Sequence, residues 1–244
     1  DRTSRGLGDV YKRQMNNFLT KPSTQEIFFP SDHPLHGHER AVQSLRRCGF
    51  DFQKRGWSVG TSSNYSVVAS RDPLKLVVTA SGKHKEMLAA EDFVVTDEHG
   101  QPTVPGQPKS SAETLLHCVV ANARPEVGAI LHTHSVWSTV LSDYFFEQKG
   151  FEIEGFEMLK GLSGISTHET RHWVNIFPNT QDIPVLAKQV ETFIHDPEKG
   201  LTHGYLIHQH GLYTWGKDID EARRHIEVYE FLFECLARKM MLKR

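Results

Sequence analysis

Across residues 38–56 the positions Val42, Leu45, Cys48 or Gly49, and Phe52 fall every three to four residues, with Arg and Lys between them. That period predicts an amphipathic helix stopped by Gly56. The pattern then shortens to Val-rich runs at Tyr65–Ala69, Leu74–Thr79 and Phe93–Thr96. Turn residues such as Arg71-Asp72-Pro73 and His99-Gly100 bound them, which predicts strands. Pro102, Pro105 and Pro108 mark an irregular loop. Residues 111–123 read as a helix opened by Ser110 or Ser111, with Glu113 in its first turn and Arg124-Pro125 as its stop.

Val127–Leu131 is an almost wholly apolar strand that runs into His132, and residues 134–143 turn helical. Val174–Phe177 is a further strand. Asn179 or Thr180 is the expected cap of the next helix, whose apolar face carries Ile183, Leu186, Ala187, Val190, Phe193 and Ile194. Tyr205–His208 and Leu212–Trp215 read as two strands around a tight bend at His210-Gly211. The last helix runs from about Asp218 to Lys239 and presents Ala222, Ile226, Tyr229, Phe233, Leu236 and Met240.

Strands and helices interleave without a repeat or linker, so one α/β domain over residues 37–244 is the economical reading. Residues 1–14, "DRTSRGLGDVYKRQ", lack any periodicity and read as a non-native leader, followed by an N-terminal extension over 15–36. A net charge of -2 argues against nucleic acid or an anionic membrane as partner. No apolar run approaches the roughly 18–20 residues that span a bilayer. Cys48, Cys118 and Cys235 are odd in number and widely spaced, which predicts reduced thiols in the cytoplasm. Histidine stands out, at 15 residues, and raises the prior for metal chemistry.

His132 and His134 flank Thr133 at a strand end. Residues two apart on a strand face the same side, so both imidazoles can meet one point. An isolated pair of this kind equally fits one local hydrogen bond and one exposed ring. A third imidazole makes the stronger case, because catalytic zinc commonly takes three protein ligands and leaves a position open. His210 is the candidate, since the Gly after it gives the backbone freedom to swing the ring inward. His208 is the runner-up and His168 a weaker alternative. Three small-residue loops fit an anion: "GTSSN" with Thr61 and Asn64, "TASGK" with Ser81, Gly82 and the charge of Lys83, and "KSSAE" with Ser110, Ser111 and Glu113. Together they predict a phosphorylated substrate. In "EGFEMLKG", Glu157 lies among Phe156, Met158 and Leu159, so it is the carboxylate expected to be desolvated and to serve as general acid or base.

The segments "GWSVGTSSNYSV", "TASGKHKEMLAAEDFVV", "SSAETLLH", "PEVGAILHTHS" and "HQHGLYTWG" resemble, in order, those of the class II aldolase family, from about residue 37 to 240. The resemblance implies a three-layer α/β/α fold with a central, largely antiparallel or mixed sheet. It also implies one Zn2+ per subunit held by His132, His134 and His210, a homotetramer, and a phosphorylated sugar gripped through Thr61, Asn64, Ser81, Gly82 and Ser110 or Ser111. "GTSSN" departs from the family's Gly-rich loop. "FEMLKGLSGISTHET" resembles a branch that dehydrates 5-methylthioribulose 1-phosphate, and the branch's acid/base maps to Glu157. Glu113 matches the aldolases' catalytic glutamate, which in those enzymes also reaches zinc when substrate is absent; some dehydratases of this branch carry a substrate-contacting cysteine there. The methylthio tail needs an apolar pocket, for which Trp137, Phe156 and Trp215 are candidates. The rival readings are an aldolase or epimerase on another phosphorylated sugar, an adducin-like binding module, and a purely structural zinc.

Overall fold

The apolar run ahead of His132 becomes a central strand of an eight-stranded sheet. A computed structural model describes residues 26–196 and 200–242; the expected leader and residues 15–25 of the expected extension lie outside the described residues. In chain order the elements are α1 (Glu39–Lys54), β1 (Asn64–Arg71), β2 (Leu74–Thr79), β3 (Phe93–Thr96), α2 (Thr114–Ala123), β4 (Ala129–Thr133) and α3 (Val136–Tyr144). β5 (Gly150–Ile153), β6 (His172–Phe177), α4 (Ile183–Ile194), β7 (Gly204–Ile207), β8 (Gly211–Gly216) and α5 (Ile219–Leu242) follow. The strand order is β3-β2-β1-β4-β8-β7-β6-β5. Every neighbouring pair is antiparallel except β6 with β7, so the sheet is mixed and largely antiparallel.

Strand alternation divides the apolar residues between two faces. Leu131, Val67, Leu206 and Leu212 pack with α1, α3 and α5 on one face. Ile130, Tyr205, Tyr213 and Trp215 pack with α2 and α4 on the other. The result is the expected three-layer α/β/α arrangement. Phe29 and Leu35, from the segment ahead of α1, are buried in the first of these cores. A side chain at Gly49 of α1 would strike the Lys85 carbonyl, so the close approach there requires glycine. No helix among the described residues is long and apolar enough to cross a membrane. Cys48 and Cys118 are free and buried, and burial pushes both thiols up to about 12, which leaves them inert.

Two local details bear on the site. The cap of α4 is Asp182, whose carboxylate accepts from Val185 N at 3.2 Å, rather than the expected Asn179 or Thr180; Thr180 Oγ1 accepts instead from Asp182 N at 3.1 Å. The pattern also missed β5, a four-residue edge strand that alternates around the exposed Glu152. It is shorter than a typical run and carries a charge.

A histidine cluster closes the end of the sheet remote from His132. His172, at the start of β6, meets His203 edge-on at 5.5 Å, and His203 meets His225 of α5 at 5.2 Å. His225 Nδ1 donates to the Trp215 carbonyl at 2.7 Å, and His203 Nε2 donates to that of Ser163 at 2.6 Å. His172 Nε2 pairs with the Tyr229 hydroxyl at 2.8 Å. Burial holds His172 and His225 down at about 4 and lowers His203 as well. In the unfolded chain a histidine titrates near 6.5. The stability contributed by the neutral His172 and His225 rings is therefore full above about pH 6.5 and is lost as pH falls toward about 4, by up to roughly 3 kcal/mol per ring. The melting temperature should fall over that window, and His172→Gln should make the fall shallower in a series of thermal melts. An unchanged slope would count against the cluster as the cause.

Candidate metal centre and substrate cleft

The end of β4 and the β7–β8 turn bring three histidines together. His132 is fully buried on β4, opposite Tyr213 of β8, and its ring stacks on that of Tyr213 with centroids 3.9 Å apart. His132 Nδ1 donates to the Leu212 carbonyl at 3.0 Å. This bond fixes the tautomer and leaves Nε2 as a lone pair aimed into the cleft. His134 leaves the strand with its N–H on the Trp57 carbonyl at 2.8 Å. Ser135 and Ser138 then form a reciprocal cap that starts α3 and fixes the direction in which the chain departs. His210 occupies the turn between β7 and β8, where Thr139 Oγ1 donates to its carbonyl at 3.2 Å.

One ligand nitrogen from each of His132, His134 and His210 lies within 4.8 Å of the other two. His132 Nε2 and His210 Nε2 are 3.3 Å apart. Burial pulls His132 well below its usual range and His134 down to about 3, and the neighbouring rings add to both. Burial lowers His210 also, against the pull of Glu113. Three neutral imidazoles with convergent lone pairs fit a metal ion, and the cleft supplies an open side. His208, the runner-up, stacks on Phe146 and bonds to Asp143 at 3.0 Å, away from the trio. His168 pairs with Glu157 instead.

The role expected of Gly211 needs correction. The left-handed residue of the turn is Gln209, at φ 50°. Gly211 is needed because a side chain there would meet the Thr133 carbonyl. The glycine thus admits β4 to β8 rather than swinging the His210 ring.

Glu113 faces the trio. Its Oε1 is 3.3 Å from His210 Nε2 and its Oε2 is 3.7 Å from His132 Nε2. The Tyr213 hydroxyl donates to Oε2 at 3.2 Å and Asn64 Nδ2 donates to it at 3.1 Å. Asn64 is oriented in turn by the buried His117, which bonds to Asn64 Oδ1 through Nε2 and to Ser66 Oγ through Nδ1. Burial keeps His117 neutral, at about 3. Asn64, expected on the phosphate, is therefore engaged with the Glu113 carboxylate. Sequence reasoning missed His117 and Tyr213, since each looks like an ordinary core position of a helix or strand.

A cleft of about 320 Å³ opens beside the trio. Thr61, Ser62, Ser63, Asn64, Ser81, Gly82, Ser111, Glu113, His134 and His210 line it, and Asn179, Thr180 and Gln181 close it from the start of α4. All three expected loops meet here. Ser110 does not: it is buried, and its hydroxyl donates to the Gly100 carbonyl at 2.7 Å. Lys83 turns to Asp92 at 2.7 Å. Lys85, which the sequence did not single out, is buried and donates to the carbonyls of Thr61 at 3.3 Å and Lys83 at 2.7 Å. It ties two of the loops together, and burial pulls it down to about 8.

Glu157 is the main departure from expectation. Its side chain is 71% exposed, with Lys160 Nζ at 2.6 Å and His168 Nδ1 at 3.3 Å. The Lys160 hydrogen bond holds the carboxyl below its usual range, the reverse of a desolvated acid. The neighbouring apolar residues turn away from it: Leu159 is buried in the core beside α5, while Phe156 lies under Lys239. Glu157 thus sits on the α5 layer, and the cleft opens on the α2 and α4 layer. Trp215 is core, on the face of Tyr205, and Trp137 lines an apolar depression with Met240 and Met241. Neither these two nor Phe156 enters the cleft.

Comparison with known proteins agrees with this geometry. Residues 43–237 match the class II aldolase and adducin N-terminal domain family. The chain is 48% identical over 205 residues to the methylthioribulose-1-phosphate dehydratase of Marinobacter nauticus, covering 84% of this chain and 96% of that protein. It is also 48% identical over 197 residues to the enzyme of the same name from Pseudomonas fluorescens, covering 81% and 92%. Its fold is shared with an L-fuculose-1-phosphate aldolase from Thermus thermophilus, with a TM-score of 0.63 at 19% identity, over 84% of this chain and 97% of that one. The chain belongs to the class II aldolase and adducin family, and within it to the branch formed by the methylthioribulose-1-phosphate dehydratases.

Proposed function

We propose that this chain is a cytoplasmic hydro-lyase that converts 5-methylthioribulose 1-phosphate to 2,3-diketo-5-methylthiopentyl 1-phosphate and water, in methionine salvage. The observation that carries this reading is the trio His132, His134 and His210, which opens on a cleft walled by three hydroxyl-bearing loops. The substrate itself is supported by the two dehydratase relatives. The donor set, three imidazoles and no thiolate, suits zinc. Held by these three imidazoles, the ion would supply a Lewis acid for the charge that develops beside the substrate's ketone.

The chain's own residues do the rest. Thr61, Ser81, Gly82 and Ser111 bind the phosphate through hydroxyl and backbone N–H groups, which turns binding energy into orientation. Proton transfer remains: a proton leaves C3, the C4 hydroxyl takes one up as it departs as water, and the resulting C3 enol gives up its O–H proton as C4 gains one, which yields the diketone. Glu157 is the acid/base in this reading, and Glu113 is the second carboxylate at the trio. Glu157 is separated from its own cleft by the sheet, so it serves the cleft of a neighbouring subunit in a homo-oligomer. As an exposed, ion-paired carboxylate it fits the base at C3. Packing against a neighbour would desolvate it and raise it toward the acid role.

Three results follow. His132→Ala should lose bound zinc and diketone formation together, as read by metal analysis and a coupled assay; full turnover without metal would sink the metal role. Glu157→Gln should keep fold and zinc and lose at least about a hundredfold in kcat, the usual scale of a missing acid or base. Co-expression of Glu157→Gln with His132→Ala should then give mixed oligomers that regain activity neither variant has alone. Failure to regain it would place Glu157 outside the partner's cleft.

A further inference from the structure

α5 carries one carboxylate that nothing above employs. Glu230 is 2% exposed, on the helix face that packs against β4 and β8, and neither of its oxygens has a hydrogen-bond partner. The polar groups that face it are the hydroxyls of Thr133 and Ser135. Ser135 Oγ is engaged with Ser138, accepting from its N–H and lying 3.0 Å from its hydroxyl. Thr133 is fully buried, and its Oγ1 also lacks a partner. Three unpartnered polar atoms therefore meet in one buried interface between α5 and β4. Thr133 is the residue between two of the converging histidines, and its side chain points away from them, into the α5 layer.

An ionised carboxylate is not tolerated in such a place without a partner. A carboxylic acid is, because it has an O–H to give and the Thr133 hydroxyl can accept it. Burial pushes Glu230 up to about 8, with Ser135 and Thr133 opposing and Glu234 assisting, in keeping with a protonated group at neutral pH.

We propose that Glu230 is a positioning residue of the metal centre: as a neutral acid it hydrogen-bonds the Thr133 hydroxyl from behind the sheet, directly or through one buried water, and so fixes the strand end that aims His132 and His134. The inference rests on the reading of His132, His134 and His210 as metal ligands. Groups that orient ligands from behind commonly change metal affinity by about 10–100-fold.

The test is zinc affinity of the full-length protein, measured by competition with a chromophoric chelator, with folding followed by circular dichroism. Glu230→Gln keeps a neutral donor of the same shape and should bind zinc within about threefold of the parent. Glu230→Leu should bind at least about tenfold more weakly. Thr133→Val should weaken binding likewise, and Thr133→Val with Glu230→Leu should bind no more weakly than Glu230→Leu alone. A folded Glu230→Leu protein with parental affinity overturns the inference. If Glu230→Leu does not fold, parental affinity in Thr133→Val overturns it. A parent protein that binds no zinc at all refutes instead the metal reading on which the inference stands.

Discussion

The pairing of β4 with β8 is the constraint on which the site depends. It sets His132 opposite Tyr213 and Thr133 opposite Leu212. From that register follow the stacking of His132 on Tyr213, the bond from His132 Nδ1 to Leu212, and the entry of His210 from the turn ahead of β8. A slip of one residue would turn His132 toward α5 and Thr133 into the cleft. Gly211 protects the register, since any side chain there would push the Thr133 carbonyl away. The tautomer that frees Nε2 and the room that lets a third imidazole approach thus come from one strand contact.

Around this contact the chain keeps its imidazoles neutral by burial and keeps its carboxylate in place by donors. Asn64 and Tyr213 both donate to Glu113 Oε2, and Asn64 is fixed by His117, itself fixed by Ser66. These residues come from β1, α2 and β8, so Glu113 is located by three elements at once. Helix capping contributes as well. Asp182 caps α4 and Ser135 caps α3, and this leaves Asn179, Thr180 and Gln181 to close the cleft.

Much of this was legible in the sequence, and the limits have physical causes. His-x-His at a strand end and the later His-Gly signalled the trio, because period-two alternation converts spacing directly into a common face. The loops at Thr61, Ser81 and Ser111 were visible as small-residue turns. Local spacing does not say which of two adjacent hydroxyls points outward, so Ser110 and Ser111 could not be separated. Nor does it show a lysine's destination: Lys83 and Lys85 look alike in "SGKHK", yet one meets Asp92 and the other threads beneath the loops. The exposure of Glu157 is not legible in the sequence because apolar sequence neighbours are not its spatial neighbours. On a short 3-10 helix successive side chains fan around the axis, so Leu159 is buried while Glu157 stands in solvent.

That exposure also bears on how such a site is completed. A cleft that removes a proton beside a ketone needs a carboxylate free to move protons, and Glu113 is engaged with Asn64 and Tyr213 and faces the histidine trio. Among the described residues, the cleft has no other carboxylate in its lining. Glu157 stands on the opposite layer with its charge balanced by Lys160 and His168, soluble in the isolated chain and available to a neighbour. In the proposed function this arrangement would make catalysis conditional on assembly. Under the proposed function each chain would supply the histidine trio on one face and the Glu157 carboxylate on the other, and that carboxylate would lose its water on meeting a neighbour's cleft.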